Sequence, residues 1–388
     1  MKVVIDTNTV SVHVVPFAMS LLRLLKGKNV SYLYFTSGCD PCRNSGIDKA
    51  IWDISVDVSQ EPMHAATLRR DADVILENNR DFDVMRDAVC AQKKVFYSSE
   101  RWFKPIRIDV LDSECASGRG LAITGFIRMV FPFAIKRAFR MMKLLREGKT
   151  FIYLPCGIHA ARDMARLCGL MGGDLRCIFR APKLGFESRP GGRIWAEDGK
   201  DSLYCLHKMR MWGYFVSPSF GIKNRGIAAE KETVRVLWVG RMIGCKCLET
   251  IIRAVKGVGK IDCDLFGSGP DETRIRRLAS GVENVHFHGL IPMSEVRKQM
   301  REHDVYVLSS NAFEGWGAVV SEALEEGMKV VGTYEAGASA TILPESNLFH
   351  ARDWRTLRRI LQGKISDVEI GEWSADYASR AFVKLAEQ

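Results

Sequence analysis

From residue 234 onward the chain alternates between short apolar runs and stretches of helical period, and this alternation constrains the fold more than any other feature. Val234–Val239 (VRVLWV) reads as a strand, and Lys246–Lys256 as a helix closed by Gly257. Ile261–Phe266 reads as a strand, Asp271–Ala279 as a helix closed by Gly281, and Val285–His288 as a strand. Ser294–His303 follows as a helix with a serine N-cap, then the strand Asp304–Leu308, a helix over 316–326 and the strand Lys329–Gly332. Strand, helix and strand at this spacing require parallel sheets with right-handed crossovers.

The first half alternates less regularly. Strand-like runs occur at Lys2–Asp6, Val30–Phe35, Asp73–Glu77, Lys94–Ser98 and Phe151–Leu154, with helical stretches such as Pro16–Leu25 and Asp81–Gln92. A chain of 388 residues exceeds one ordinary core. The expected fold is therefore α/β, with two Rossmann-like domains. The periodicity lapses at Pro218–Ala229, which divides the chain into a domain over 1–222 and a second over 223–370. Residues 371–388 should form a C-terminal helix packed back on the first domain, since Trp373–Leu385 carries apolar residues at helical spacing.

Composition narrows the class. With 47% hydrophobic and 26% charged residues the chain reads as soluble and globular. The start, MKVVIDTNTV, lacks the layout of a signal peptide, and no run of about 18 apolar residues suggests a membrane-spanning helix. A cytoplasmic location is expected. The 11 cysteines, an odd number, then read as reduced thiols. Cys39 and Cys42 form one CxxC, but zinc wants a second pair and Cys245/Cys247 is a distant CxC, so no metal is expected. The net charge of +10 suits a polyanionic partner: nucleic acid, an anionic membrane or a phosphorylated substrate. No zinc-finger, RNA-recognition or basic-zipper pattern favours nucleic acid.

The stretch EGWGAVVSEALEEG (314–327) places Glu314 before a Gly-Trp-Gly turn and Glu322 on the helix that follows. Glu322, Glu325 and Glu326 read alone as a solvated helix face. However, Gly315 and Gly317 let the backbone approach a ligand, and the helix start offers unpaired amides to an anion. The turn follows a strand, so it falls at the carboxyl edge of a parallel sheet, where such folds bind ligands. A carboxylate on each side of an anion site suits a nucleotide sugar, with hydroxyls at both ends and phosphate in the middle.

EGWGAVVSEALEEGMKVVGT resembles the signature of GT-B retaining glycosyltransferases of the family 4 type (glycosyl transferases group 1): Glu-Gly-aromatic-Gly, four residues, Glu-Ala, then helix, Gly and strand. VLWVGRMIGCKCLETIIRAV, DLFGSGPDETRIRRLA and NVHFHGLIPMSEV resemble further family segments in the family's order, covering roughly Val234–Leu348. The resemblance implies two Rossmann-like domains facing each other across a cleft, a nucleoside-diphosphate sugar as donor and no cofactor or bound metal. It gives Arg241 and Lys246 the donor diphosphate and Glu314 the transferred sugar. Trp316, Gly317 and Ala318 would supply backbone contacts, Glu322 the ribose contact, and Gly267 the close approach of a loop to the nucleotide. Read singly, Arg241 and Lys246 are also compatible with surface cations, and Gly267 with a plain turn glycine. The lone GSG at 267–269 lacks the third glycine of a dinucleotide fingerprint. Asp262 and Asp264 lie within a strand and read as structural.

In the first domain the family's glycine-rich loop after the first strand is replaced by DTNTVSVHV. KVFYSSERWFKP (94–105) and WGYFVSPS (212–219) resemble segments of bacterial polysaccharide-assembly glycosyltransferases. Glu100 and His159 are the candidate active-site groups there, against readings as a loop glutamate and a structural histidine. TGFIRMVFPFAIKRAFRMMKLLREGK (124–149) interleaves large apolar residues with cations. It suits either an anionic membrane surface or a core helix with a solvated basic face. The resemblance implies transfer of a sugar to a glycan or lipid-linked acceptor in cell-surface polysaccharide synthesis, and the 124–149 segment suggests a peripheral place on the cytoplasmic face of the membrane. The alternatives are a same-fold epimerase or phosphorylase, and a non-catalytic basic protein binding nucleic acid or membrane.

Overall fold

The structure, a computed structural model, describes residues 1–11, 13–27, 29–35, 47–102, 132–178, 180–216 and 233–388. The chain forms two compact units. The first contains Met1–Trp102, the described residues of 132–216 and Gly371–Gln388; the second contains 233–370. The sequence boundary at 222/223, the linker Pro218–Ala229 and the Cys39/Cys42 pair lie outside the described residues.

The first unit is built on strands β1 (Val3–Asp6), β2 (Val30–Tyr34), β3 (Ser55–Asp57), β4 (Val74–Glu77), β5 (Lys94–Ser99) and β6 (Phe151–Pro155). They pair in parallel in the order β3-β2-β1-β4-β5-β6. A short hairpin, β7 (Leu184–Phe186) with β8 (Ile194–Ala196), follows. The second unit repeats the plan with β9 (Val234–Val239), β10 (Ile261–Phe266), β11 (Val285–Gly289), β12 (Val305–Leu308), β13 (Lys329–Thr333) and β14 (Leu348–Phe349). These pair in parallel in the order β11-β10-β9-β12-β13-β14. Each sheet reverses direction of growth once, between β1 and β4 and between β9 and β12. Beyond the carboxyl ends at such a reversal, diverging loops leave a crevice.

Both sheets are buried on two faces, which is why their strands read as continuous apolar runs rather than as alternating ones. The three residues of β3 and two of β14 are too short to register as runs. The helix Leu248–Val255 packs Leu248, Ile251, Ile252 and Val255 into the core with Val236, Leu265 and Val307. In the first unit the C-terminal helix Ala375–Glu387 packs on the helix Val15–Leu24. Phe382 is fully buried against Phe17, Phe96 and Trp212, with ring centroids 5.5, 4.7 and 6.3 Å away. Ser20 Oγ donates to Asp376 at 2.6 Å. Truncating a ring in such a site to alanine costs about 3–5 kcal/mol.

Three helix boundaries depart from expectation. The helix expected from Ser294 begins at Met293, with Pro292 at the cap position, because proline's fixed φ suits a helix entry. Lys246 opens no α-helix. It ends a 3₁₀ turn, and left-handed Cys247 (φ 47°) separates it from the helix Leu248–Val255. The helix expected over 316–326 spans only Val319–Glu325. Nor do Glu325 and Glu326 form a solvated face. Both are buried, and Glu326 accepts hydrogen bonds from Arg297 and Arg301 at 2.8 Å each.

Candidate active site

The loops after β9, β10 and β12 in the second unit bring most of the predicted residues together. The first two interlock through their backbones. Met242 N donates to Ser268 O (2.8 Å) and Asp271 N to Met242 O (3.0 Å). Gly267, at φ 132°, lies so close to the Gly240 carbonyl oxygen that a Cβ there would collide with it. The glycine is thus required by loop-on-loop packing, whatever lies above it. Arg241 leaves this locked pair of loops with its side chain exposed.

Lys246 and Glu314, assigned separate roles from sequence, are partners. Lys246 Nζ forms an ion pair with Glu314 Oε2, both half-buried, and Ser310 Oγ donates to the same oxygen at 2.8 Å. Their backbones are fixed as well. Ser309 Oγ donates to Lys246 O at 2.6 Å, Asn311 N to Cys245 O at 2.8 Å and Thr333 Oγ1 to Ser310 O at 2.6 Å. Charge-assisted bonds in a partly desolvated setting are the stronger kind. Beneath them the fully buried Tyr306 hydroxyl donates to Val239 O at 3.4 Å. Burial first, and then the charges of Glu314 and Glu322, push this phenol well above its usual range. Both carboxylates therefore bear on the same ring, and the hydroxyl remains a neutral donor.

Trp316, given a backbone role from sequence, is also a structural residue. Its ring is buried, and its carbonyl accepts from Ala338 N at 2.7 Å, while Gly315 O accepts from Gly337 N at 3.1 Å. Its bulk anchors the turn to the next loop. Gly317 (φ 83°) then reverses the chain, and Ala318 caps the short helix carrying Glu322. At this helix start Val320 N donates to Gly317 O at 3.0 Å and Glu322 N to Ala318 O at 3.2 Å. Asp264 accepts from His288 Nε2 (2.5 Å) and His303 Nε2 (2.9 Å). Burial raises its carboxyl, but these two bonds outweigh it and hold the group well below the usual range.

The first unit has a site at the equivalent edge. A cavity of about 340 Å³ is lined by Thr7, Asn8, Thr9, Asn78, Asn79, Arg80, Ser98, Ser99, Glu100 and Tyr214, among others. Glu100 is thus placed on its wall. Half-buried His159 stands on the first turn of the helix Ile158–Met171, after left-handed Gly157 (φ 85°), and is not a lining residue. At the strand ends, Asp6 and Glu77 are register partners across β1 and β4, and both are fully buried. Asp6 Oδ2 accepts from Arg69 Nε at 2.6 Å, and Glu77 Oε1 from Asn79 N at 2.5 Å. Burial, against the pull of Arg69, raises the Asp6 carboxyl to about 6, and burial followed by the Asp6 charge lifts Glu77 well above its usual range. Sequence reasoning passed over Asn78, Asn79, Arg80 and Tyr214. The available signal was position: polar residues immediately after a strand of a parallel sheet.

Among the described residues no cluster of His, Cys, Asp and Glu could hold a metal ion, and no helix is long and apolar enough to cross a membrane. The helix Pro132–Glu147 buries Met141, Met142, Leu144 and Leu145 and exposes Arg137, Phe139, Arg140 and Lys143. Residues 124–131 of that segment lie outside the described residues.

Residues 233–361 match the family model described as glycosyl transferases group 1, about a third of the chain. The chain is thus a glycosyltransferase with a group 1 domain, and its fold is GT-B. The apo lipopolysaccharide outer core galactosyltransferase WaaB is similar in structure, at 14% identity, with 99% of each chain covered and a TM-score of 0.58. Anabaena Alr3699/HepE in complex with UDP is similar at 12% identity, covering 100% of this chain and 95% of that one, with a TM-score of 0.56. The same Anabaena protein with UDP-glucose gives 12% identity, 99% and 94% coverage and a TM-score of 0.51. Among curated proteins, none matches the chain in sequence.

Proposed function

We propose that this chain is a retaining glycosyltransferase that moves a sugar from a nucleoside-diphosphate sugar to a glycan acceptor, lipid-linked, in cell-surface polysaccharide synthesis. The observation that carries the reading is the Lys246–Glu314 pair, held at the carboxyl edge of the sheet in the group 1 domain, with Arg241 exposed on the loop that leads to Lys246. Two cations and a helix start suit a diphosphate leaving group. On binding, the diphosphate takes Lys246 and Arg241 as partners. Glu314, still held by Ser310, then faces the sugar, and Glu322 accepts from the ribose hydroxyls. Gly317 and Ala318 supply backbone contacts to sugar and phosphate. Retention follows from the resemblance: attack comes on the face the diphosphate leaves, and the leaving phosphate takes the acceptor proton. The first-unit cavity, with its hydroxyl, amide and Glu100 carboxylate groups, suits a polyhydroxyl acceptor, with His159 nearby as a second candidate group. The galactosyltransferase and the UDP and UDP-glucose complexes among the structural relatives favour a UDP-sugar donor. The exposed Phe139 among cations on the helix Pro132–Glu147 supports a location on the cytoplasmic membrane face.

The test is a thermal-shift panel of UDP, GDP, ADP and CMP with their common sugars, without added metal. A ligand that binds only the folded state raises the melting temperature. One nucleoside diphosphate should stabilise the protein, and Arg241→Ala should abolish that shift. No shift with any ligand, in folded protein, would overturn the donor site.

A further inference from the structure

A second basic site lies in the first unit, away from the residues assigned to catalysis. The loop between β7 and β8, the segment before Trp212 and the C-terminal helix enclose a cavity of about 460 Å³. Five cations line it: Arg189, Arg193, Arg210, Arg380 and Lys384. Glu187 is the one acidic side chain among the lining residues, and it is already engaged, accepting from Arg189 at 3.0 Å and from Arg193 N at 3.1 Å. Glu372 stands 3.9 Å from Arg189, and the terminal residue Gln388 also lines the cavity. Arg380 and Lys384 lie four residues apart on one helix, a like-charge spacing that is unfavourable without a counterion. Arg210 is half-buried; burial first, and then the Arg193 charge, lower its affinity for its proton. Pro190, Ala381 and Leu385 supply an apolar part of the wall.

We propose that this cavity is a binding site for a phosphate or diphosphate group, separate from the nucleotide site. Four cationic charges in excess of Glu187 match a multiply charged oxyanion. Arg189 is held by Glu187 and Arg210 by the His207 and Met209 carbonyls, which leaves the Arg193 and Arg380 forks to offer paired donors to its oxygens. The apolar wall admits the carbon chain to which such a group is esterified. The same chemistry is carried by a soluble phosphate ester and by a lipid headgroup, and the two sources are separable.

The test uses the full chain carrying Arg241→Gln and Lys246→Gln, so that the nucleotide site contributes nothing. Inorganic diphosphate is titrated by calorimetry, and flotation is measured with phosphatidylglycerol vesicles against phosphatidylcholine vesicles. Saturable diphosphate binding, weakened about tenfold or more by adding Arg380→Gln and Lys384→Gln, establishes the site and a soluble ligand. Flotation with phosphatidylglycerol that this change abolishes, and that neutralising Arg137 and Arg140 leaves in place, establishes a lipid headgroup as the source. Arg380→Lys with Lys384→Arg should retain binding and controls for folding. If neither diphosphate nor vesicle binding differs between the glutamine pair and its parent, both folded, the proposal is overturned.

Discussion

The two sheets have one strand order, yet their carboxyl edges treat acidic residues in opposite ways. In the second unit half-buried Glu314 is paired with Lys246 and accepts a hydrogen bond from Ser310. In the first unit Asp6 and Glu77 face each other across adjacent strands, fully buried, with Arg69 bonded only to Asp6. Burial and their mutual charge make it costly for both to ionise, which raises the two carboxyls above the usual range. The second unit's edge pairs its carboxylate with a cation, whereas the first unit's edge buries two carboxyls that favour the protonated form beneath a polar cavity.

Glu314→Gln breaks the comparison most severely. It removes the charge but keeps the shape, and transfer should fall roughly 10²–10³-fold, with the melting temperature little changed; wild-type-like turnover would show that the charge is not needed. Gly267→Ala comes next. Its Cβ meets the Gly240 carbonyl, so urea denaturation should show a loss of roughly 1–3 kcal/mol, with nucleotide binding weakened as the two loops part. Glu77→Gln has the smallest effect and the opposite sign. Because the folded-state carboxyls bind protons more tightly than the unfolded ones, stability falls as pH rises from about 4 through the Asp6 value of about 6. A neutral amide removes one of the two charges. It should stabilise the protein by about 1 kcal/mol at pH 7.5, roughly 2–4 °C in melting temperature, and flatten the pH dependence below 7. An unchanged pH profile would mean that the Glu77 charge does not bear on the Asp6 carboxyl.

The second unit's edge was legible because its requirements are geometric. Gly267 and Gly317 occupy backbone conformations and contacts that other residues do not tolerate, so they punctuate the sequence at fixed spacing. The Lys246–Glu314 pair was not legible as a pair, since 68 residues separate partners that only the sheet brings together. Nor was the burial of Trp316, whose indole serves the turn rather than a ligand. The first-unit cavity was the least legible. Thr7 and Asn78, just beyond β1 and β4, and Ser99, the last residue of β5, are ordinary residues until the sheet places the three strand ends side by side. The basic cavity depends on the same long-range closure, between residues 187–210 and the last helix.

The first unit is closed by the last helix, with Phe382 filling a gap among Phe17, Phe96 and Trp212. Chains usually fold from the N-terminus as they leave the ribosome, at about 5–20 residues per second. Here the aromatic cluster stays open while 217–370 is synthesised, a delay on the order of ten seconds or more at that pace. The unit begun first is therefore finished last, and during that interval its unfilled hydrophobic gap is the surface that a nascent-chain chaperone would meet.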